Sequence, residues 1–82
     1  MRVRLLFFAS CKDITGCRET EVEIEEGINV ENFRRVLLDD FPALQGMINT
    51  LSIAVNTEYA ADGTVLQAGD EIALIPPVSG GG

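Results

Sequence analysis

The 82-residue chain contains no histidine and only two cysteines. Histidine is the usual general base near neutral pH, the usual activator of serine and cysteine nucleophiles, and the commonest metal ligand in proteins. Its absence removes the Ser–His and Cys–His nucleophile systems. We identify no catalytic side chain in this sequence and expect no metal site.

Cys11 and Cys17 are the only thiols, and their spacing matches no zinc-binding or redox motif. A disulfide between them would close a small loop and add little stability, and cytosolic thiols stay reduced. We therefore interpret both cysteines as incidental thiols in a loop.

Positive charge is also scarce: six Lys and Arg residues stand against 13 Asp and Glu, which gives a formal net charge of −7 at pH 7. Nucleic-acid binding needs a positive surface against the phosphates, so this composition argues against it. The acidic balance favours encounters with basic protein surfaces. Because the acids are spread along the chain, we interpret most of them as an ordinary solvated surface.

The sequence lacks any apolar run near the roughly 18–20 residues that cross a membrane, and no basic segment precedes a signal-like apolar stretch. We therefore expect a cytoplasmic protein without membrane contacts. With 82 residues, 46% of them hydrophobic, the chain can form one domain around a modest core. A domain of this size leaves little room for a large internal active site.

Two stretches near the N-terminus have the alternation typical of β-strands. They are residues 2–9, RVRLLFFA, and residues 19–27, ETEVEIEEG. The intervening SCKDITGC, residues 10–17, is predicted to be an irregular connection. In an antiparallel hairpin, Arg2 and Arg4 would face the glutamates of the second strand, and such opposite charges help to fix the register.

The hydrophobic period becomes helical between Asn29 and Asp40, NVENFRRVLLDD. Asn29 is a suitable N-cap, and Glu31 suits the positive end of the helix dipole. Pro42 disfavours helical backbone at Phe41, so we expect the helix to end there.

Three further segments are strand-like: LSIAVN from Leu51 to Asn56, the short apolar pair Val65–Leu66, and EIALI from Glu71 to Ile75. The order hairpin, helix, strand, short strand, strand places one main helix on one face of a mixed sheet. We therefore predict an α+β domain with a ubiquitin-like β-grasp fold over residues 1–77. Residues 78–82 are predicted to form a flexible glycine-rich tail.

The chain ends in ALIPPVSGGG, from Ala73 to Gly82. Pro76 and Pro77 lack N–H donors and cannot continue a central strand, so they end the sheet and start an extended segment. The residues that follow reach at most about 16–18 Å. One interpretation is a frayed end or an artificial addition, and the other is that the terminal carboxylate is a chemical handle.

The second interpretation rests on the chemistry of a glycine carboxylate. Glycine has no Cβ, so a glycine end is the slimmest peptide that can enter a narrow channel and approach a reactive centre. A carboxylate is a poor electrophile and must first be activated, most simply as an acyl-adenylate made from ATP. That intermediate can pass its acyl group to sulfur or to an amine.

The segment GDEIALIPPVSGG, from Gly69 to Gly81, resembles the end of the small subunit of molybdopterin synthase, the MoaD-type sulfur carriers. The opening LLFFASCKDITG, from Leu5 to Gly16, is similar to that family's first strand and loop. The resemblance implies a β-grasp carrier with no catalytic centre of its own. An E1-like, ATP-dependent activating enzyme would adenylate its terminal glycine and convert it to a thiocarboxylate.

The same resemblance implies a large-subunit partner, into which the tail inserts. The assembled synthase would place two sulfurs on cyclic pyranopterin monophosphate and so form the dithiolene of molybdopterin. Two small and two large subunits would make a heterotetramer. No cofactor is expected on the carrier itself, since the activating enzyme uses the ATP.

The position of the reacting glycine is a departure from the family pattern. Gly80 and Gly81 match the family's terminal pair, whereas Gly82 extends one residue beyond it. The extra residue moves the carboxylate by about 3.5 Å in an extended chain. The reacting carboxylate is that of Gly82 as written, or that of Gly81 if Gly82 is trimmed or was added artificially. Ser79 and the two prolines lead into these glycines.

By resemblance, Phe8, Tyr59 and Ile75 match positions on the large-subunit interface, and Lys12 matches a basic residue there. Strand alternation supports this independently, because Leu6 and Phe8 should point to the open side of the sheet if their neighbours face the helix. Ile75 should join them. We therefore predict that an apolar strip beside the tail is a docking site.

Other functions stay open at this point. Thiamine-type sulfur carriers and the ubiquitin-related carriers of tRNA thiolation share the fold and the glycine end, but the P-P-V-S lead-in speaks against both. A non-catalytic β-grasp interaction domain with an inert tail is the alternative from a different class.

Overall fold

The computed structural model of the protein describes residues 1–77, and the predicted tail, residues 78–82, lies outside that part. The described residues form five strands, two α-helices and one 3-10 helix. In chain order these are β1 (Arg2–Phe7), α1 (Ala9–Thr15), β2 (Glu19–Glu23), α2 (Val30–Asp40), the 3-10 helix (Pro42–Gly46), β3 (Ser52–Val55), β4 (Glu58–Tyr59) and β5 (Glu71–Ile75).

The strands form one mixed sheet in the order β2-β1-β5-β3-β4. β1 pairs in parallel with β5, and the other neighbouring pairs are antiparallel. The apolar side of α2 packs against one face of this sheet. The predicted α+β ubiquitin-like β-grasp fold is confirmed.

The core lies between α2 and the sheet face that it covers. Val3, Leu5 and Phe7 of β1 are at most 2% exposed, because the alternation of a strand sends every second side chain inward. Phe33 and Leu37 of α2 are buried in the same cluster. Burying one side chain of this size contributes about 1.5–3 kcal/mol, so this cluster holds the helix on the sheet.

The predicted N-terminal hairpin is confirmed, with Arg2 opposite Glu23 and Arg4 opposite Glu21. Helix α2 also begins and ends as predicted. The side chain of Asn29 accepts a hydrogen bond of 2.9 Å from the backbone N–H of Asn32. The helix ends at Asp40, just before Phe41 and Pro42.

Residues 10–17 are not the irregular connection that we predicted, because Ala9–Thr15 form α1. This helix is only seven residues long, too short for a hydrophobic period to identify it. It ends at Gly16, whose φ of 69° is a left-handed conformation that favours glycine. Cys11 is fully buried on α1 and belongs to the core, so it is not a loop thiol. Cys17 is half-buried, and both thiols are free.

The short strand was also predicted at the wrong place. Val65 forms only an isolated bridge with Asn29, and the two-residue strand is β4, directly after a turn formed by Asn56 and Thr57. Both turn residues have positive φ, 52° and 74°, as a tight hairpin turn requires. Thr57 stands where glycine is usual, so the sequence carries no strong hairpin signal here.

Candidate docking face

The face of the sheet opposite α2 carries an apolar surface, which we call the open-face patch. Its members are Leu6, Phe8, Ala54, Tyr59, Ala73 and Ile75. The strand register brings four of them into one row across the sheet, because Leu6 lies opposite Ala73, Ala73 opposite Ala54, and Ala54 opposite Tyr59. Residues from four strands thus form one continuous surface.

The shape of the patch follows from the sizes of these side chains. The small Ala54 and Ala73 occupy the middle strands, while larger side chains stand on either side of them. The result is a shallow concavity of about 250 Å³, which Thr57 and Glu71 also line. Tyr59 is 76% exposed and Phe8 47%, which is high for aromatic side chains of a small domain. Contiguous exposed apolar surface of this kind marks interaction sites.

The site residues predicted from the sequence fall in different places. Phe8, Tyr59 and Ile75 lie together on the open-face patch, as alternation predicted for Phe8 and Ile75. Lys12 is exposed on α1, just beyond the C-terminal end of β1, and does not line the concavity. Whether any of these side chains contacts a partner stays a prediction.

The last described strand lies in the interior of the sheet. β5 is hydrogen-bonded to β1 on one side and to β3 on the other, and it ends at Ile75. Pro76 is half-buried and Pro77 is exposed, so the chain reaches the surface immediately beside the patch. The predicted tail residues Ser79, Gly80, Gly81 and Gly82 lie outside the described residues.

Ionic side chains adjoin the patch on the same face, and we call Arg4, Glu19 and Glu71 the charged border. Glu19 lies opposite Leu6 in the sheet, and Glu71 lines the concavity. The guanidinium of Arg4 contacts the carboxylate of Glu19 and lies 3.6 Å from that of Glu71. The hydrogen bond to Glu19 and the nearby negative charges raise the pKa of Arg4 above its ordinary value.

A hydrogen-bond network around one buried carboxylate fixes the start of β5. Asp70 is only 8% exposed. One carboxylate oxygen accepts a 2.9 Å hydrogen bond from the amide of Asn56, and the other accepts one of 2.7 Å from the backbone N–H of Gln67. The side-chain oxygen of Asn56 accepts a hydrogen bond from the backbone N–H of Glu71. Sequence reasoning missed this network, although Asp70 belongs to the GDE segment that carried the resemblance.

The GDE segment therefore has a structural explanation in this chain. Gly69 has a φ of 81°, and Asp70 caps the turn that precedes β5. Both residues act on the body of the domain, whereas the chemistry assigned by resemblance belongs to the tail.

Within residues 1–77, no cluster of three or more Cys, Asp or Glu side chains is arranged to hold a metal ion. Burial raises the pKa of the Cys11 thiol, which disfavours the reactive thiolate. None of the helices in this part of the chain is long and apolar enough to cross a membrane.

The fold and the patch beside the tail exit define a protein of the ubiquitin-like β-grasp class. The ThiS family model matches residues 5–81. The chain is 40% identical to the molybdopterin synthase sulfur carrier subunit of Caenorhabditis briggsae, over 96% of each chain. It is 35% identical to the subunit of that name from Chlamydomonas reinhardtii, over 99% of this chain and 100% of the relative.

Small archaeal modifier protein 1 of Haloferax volcanii is similar in both sequence and structure. It is 33% identical over 90% of this chain and 94% of the relative. In a structural superposition its crystal structure gives a TM-score of 0.83 at 28% identity, over 94% of this chain and 98% of that one. The chain belongs to the ThiS family.

Proposed function

We propose that this chain is the sulfur carrier subunit of a molybdopterin synthase. The observation that carries the proposal is similarity to sulfur carrier subunits of that enzyme over nearly the whole chain, in a domain whose strand β5 ends at an exposed apolar patch. The patch supplies a docking surface for a large subunit, and the tail supplies the reacting group.

The reaction proceeds at the terminal glycine carboxylate. Its oxygen attacks the α-phosphorus of ATP on an E1-like activating enzyme, which forms an acyl-adenylate and releases pyrophosphate. A sulfur nucleophile, supplied by a donor of that enzyme, then displaces AMP and leaves a thiocarboxylate. In the large subunit this sulfur bonds to cyclic pyranopterin monophosphate, and water cleaves the bond between that sulfur and the glycine carbonyl, which regenerates the carboxylate. Because each carrier delivers one sulfur, two thiocarboxylate-bearing carriers are needed for one dithiolene.

The domain contributes positioning to this reaction. Because β5 is paired on both sides, its last residue is fixed relative to the patch. Docking of the patch therefore sets how far the tail can enter the partner's active site. The proposal places the protein in the cytoplasm, where the activating enzyme has ATP, in a heterotetramer with the large subunit.

A second candidate is covalent protein modification. It is favoured by the similarity to a relative named a modifier protein. The same acyl-adenylate chemistry would serve, except that a lysine amine takes the acyl group and forms an isopeptide bond. Sulfur carriage for thiamine or tRNA thiolation is the further alternative within the carrier class.

Mass spectrometry of the intact chain tests the proposal after incubation with the activating enzyme, ATP and a sulfur donor. We expect the mass gain of one oxygen replaced by sulfur, located by fragmentation at Gly82 or, after loss of that residue, at Gly81. Adding the purified large subunit and cyclic pyranopterin monophosphate should then give dithiolene and return the chain to its original mass. Isopeptide-linked products without a thiocarboxylate would support the modifier instead, and an unchanged mass would contradict both.

A further inference from the structure

We propose that the charged border steers a large subunit that presents Lys or Arg side chains beside the apolar surface that covers the open-face patch. This inference rests on the proposed function, because the partner it describes is the large subunit of that synthase. To the proposed function it adds the sign of the charge on the partner's docking surface and the orientation in which the partner docks.

The border carries an uncompensated negative charge. Arg4 is the single cation between two carboxylates, since it contacts Glu19 and lies 3.6 Å from Glu71. One positive and two negative groups leave a net charge of −1. These side chains are 39–46% exposed, so solvent and an approaching protein can reach them.

The other ion-paired groups on that side of the sheet balance one another. Arg2 lies 3.2 Å from Glu23 and 3.7 Å from Glu21, and the N-terminal amine of Met1 lies 3.6 Å from Glu23. Two cations therefore stand against two anions beyond the border. The surplus negative charge of this set lies next to the patch and not at the far edge of the sheet.

Stability alone does not account for this arrangement. Exposed ion pairs contribute about 0–1 kcal/mol to the free energy of unfolding. One guanidinium also neutralises only one of the two carboxylate charges. A charge at the edge of a docking surface acts mainly on the rate and orientation of encounter, over a range of about 8 Å at physiological salt. The border meets this condition because Glu19 lies opposite Leu6 and Glu71 lines the concavity.

The sign of the charge also differs between the middle of β1 and the helix that follows it. Arg4 and its two carboxylates lie beside the middle of the strand, whereas Lys12 follows its C-terminal end on α1. A partner with cationic side chains toward the border and an acidic or neutral surface toward Lys12 would dock in one orientation. Its tail-accepting channel would then lie at the end of the patch where Pro76 and Pro77 leave the sheet.

Two single substitutions separate steering from a structural role of the ion pair. Glu71→Gln and Arg4→Gln both remove the contact between Arg4 and Glu71, but they change the charge of the border in opposite directions. If the pair only held the surface in shape, both variants would weaken binding. If the border attracts a basic partner, Glu71→Gln slows association and Arg4→Gln accelerates it.

The experiment measures association and dissociation rate constants of the full chain with the purified large subunit, at low salt and at about threefold physiological salt. At low salt we expect Glu71→Gln to reduce the association rate constant by about two- to threefold and Arg4→Gln to raise it by a similar factor. The double variant Glu19→Gln/Glu71→Gln should be slower still. High salt should bring all variants close to the wild-type rate.

Circular dichroism and thermal unfolding of each variant establish that it is folded. Equal slowing by Glu71→Gln and Arg4→Gln, rates that do not respond to either change, or the opposite signs would each overturn the inference. A wild-type chain that forms the thiocarboxylate and binds the large subunit preserves the proposed function in those cases. A wild-type chain that does not bind the large subunit would overturn the proposed function and this inference together.

Discussion

The side-chain amide of Asn56 donates a 2.9 Å hydrogen bond to the buried carboxylate of Asp70 and so ties the β3–β4 turn to the residue just before β5. Asn56 also accepts a hydrogen bond from the N–H of Glu71. These contacts fix the register of the strand that carries Ala73 and Ile75. A one-residue slip would send both side chains to the core face, so this network supports the patch although it lies outside it.

Replacing Asp70 tests that role. Asp70→Ala removes two hydrogen bonds and leaves their donors without the carboxylate, so we expect a loss of about 1–3 kcal/mol in the free energy of unfolding. Urea denaturation measures it. Asp62→Ala is the matched control, because the carboxylate of Asp62 is exposed and makes a long ion pair of 3.7 Å with Arg34. Its loss should cost about 0.5 kcal/mol or less. Equal effects of the two substitutions would show that the network does not stabilise the fold.

The open-face patch is tested by Phe8→Arg. We expect the affinity for the large subunit to fall at least about tenfold, because docking would bury an unpaired charge and lose an aromatic contact. Thermal unfolding should change little, since Phe8 is 47% exposed. Val65→Arg is the control, because Val65 has the same exposed fraction but does not line the patch. Unchanged affinity of Phe8→Arg would remove the patch as the docking site.

The turn between β3 and β4 contains a strained residue. Thr57 is β-branched and has a φ of 74°, which is costly for any side chain with a Cβ. Thr57→Gly should raise the free energy of unfolding by about 0.5–1 kcal/mol, because the relieved strain exceeds the added entropy of the unfolded chain. Thr64→Gly is the control. Thr64 is not among the described residues with a positive φ, so glycine relieves no strain there and should lower the free energy of unfolding. A loss of stability in Thr57→Gly would contradict this account.

Replacing either cysteine should leave thiocarboxylate formation intact, but the two replacements should differ in their effect on the stability of the protein. Cys11→Ser places a hydroxyl in the core, where the partner of the native thiol is the Met47 sulfur at 3.7 Å, a weak acceptor. We expect it to cost about 1–3 kcal/mol in denaturant unfolding, whereas Cys17→Ser should cost about 0.5 kcal/mol or less. Both variants should still form the thiocarboxylate in the mass-spectrometric assay, and its loss in either folded variant would make that thiol part of the mechanism.

The elements that follow from a long hydrophobic period were predicted well. α2 and β5 have the predicted bounds to within one residue, because each presents a repeated apolar side to one core. The alternation of β1 also separated Phe7, which is buried, from Phe8, which is exposed on the patch. Half of the open-face patch thus follows from parity along two strands.

The missed features have local physical causes. α1 is a short helix held by one buried residue, Cys11, and its other side chains give no period. β4 depends on a turn of two residues with positive φ, neither of which is glycine. The Asn56–Asp70 contact joins residues 14 positions apart, and nothing in either local sequence indicates that they meet. Tyr59 was assigned to the interface by the resemblance alone, because it reaches the patch only through the register of β4 on β3.

The parallel pairing of β1 with β5 has a consequence for folding. It brings Arg4 beside Glu71 and Phe7 beside Leu74, so the central pair of the sheet joins residues from opposite ends of the described chain. Contacts this distant in sequence form slowly, because the entropy of closing the intervening loop must be overcome first. During synthesis, β1 lacks its central neighbour until β5 has been made. A chain interrupted before Glu71 would leave Leu5 and Phe7 without that neighbour, and it would be prone to aggregation or degradation.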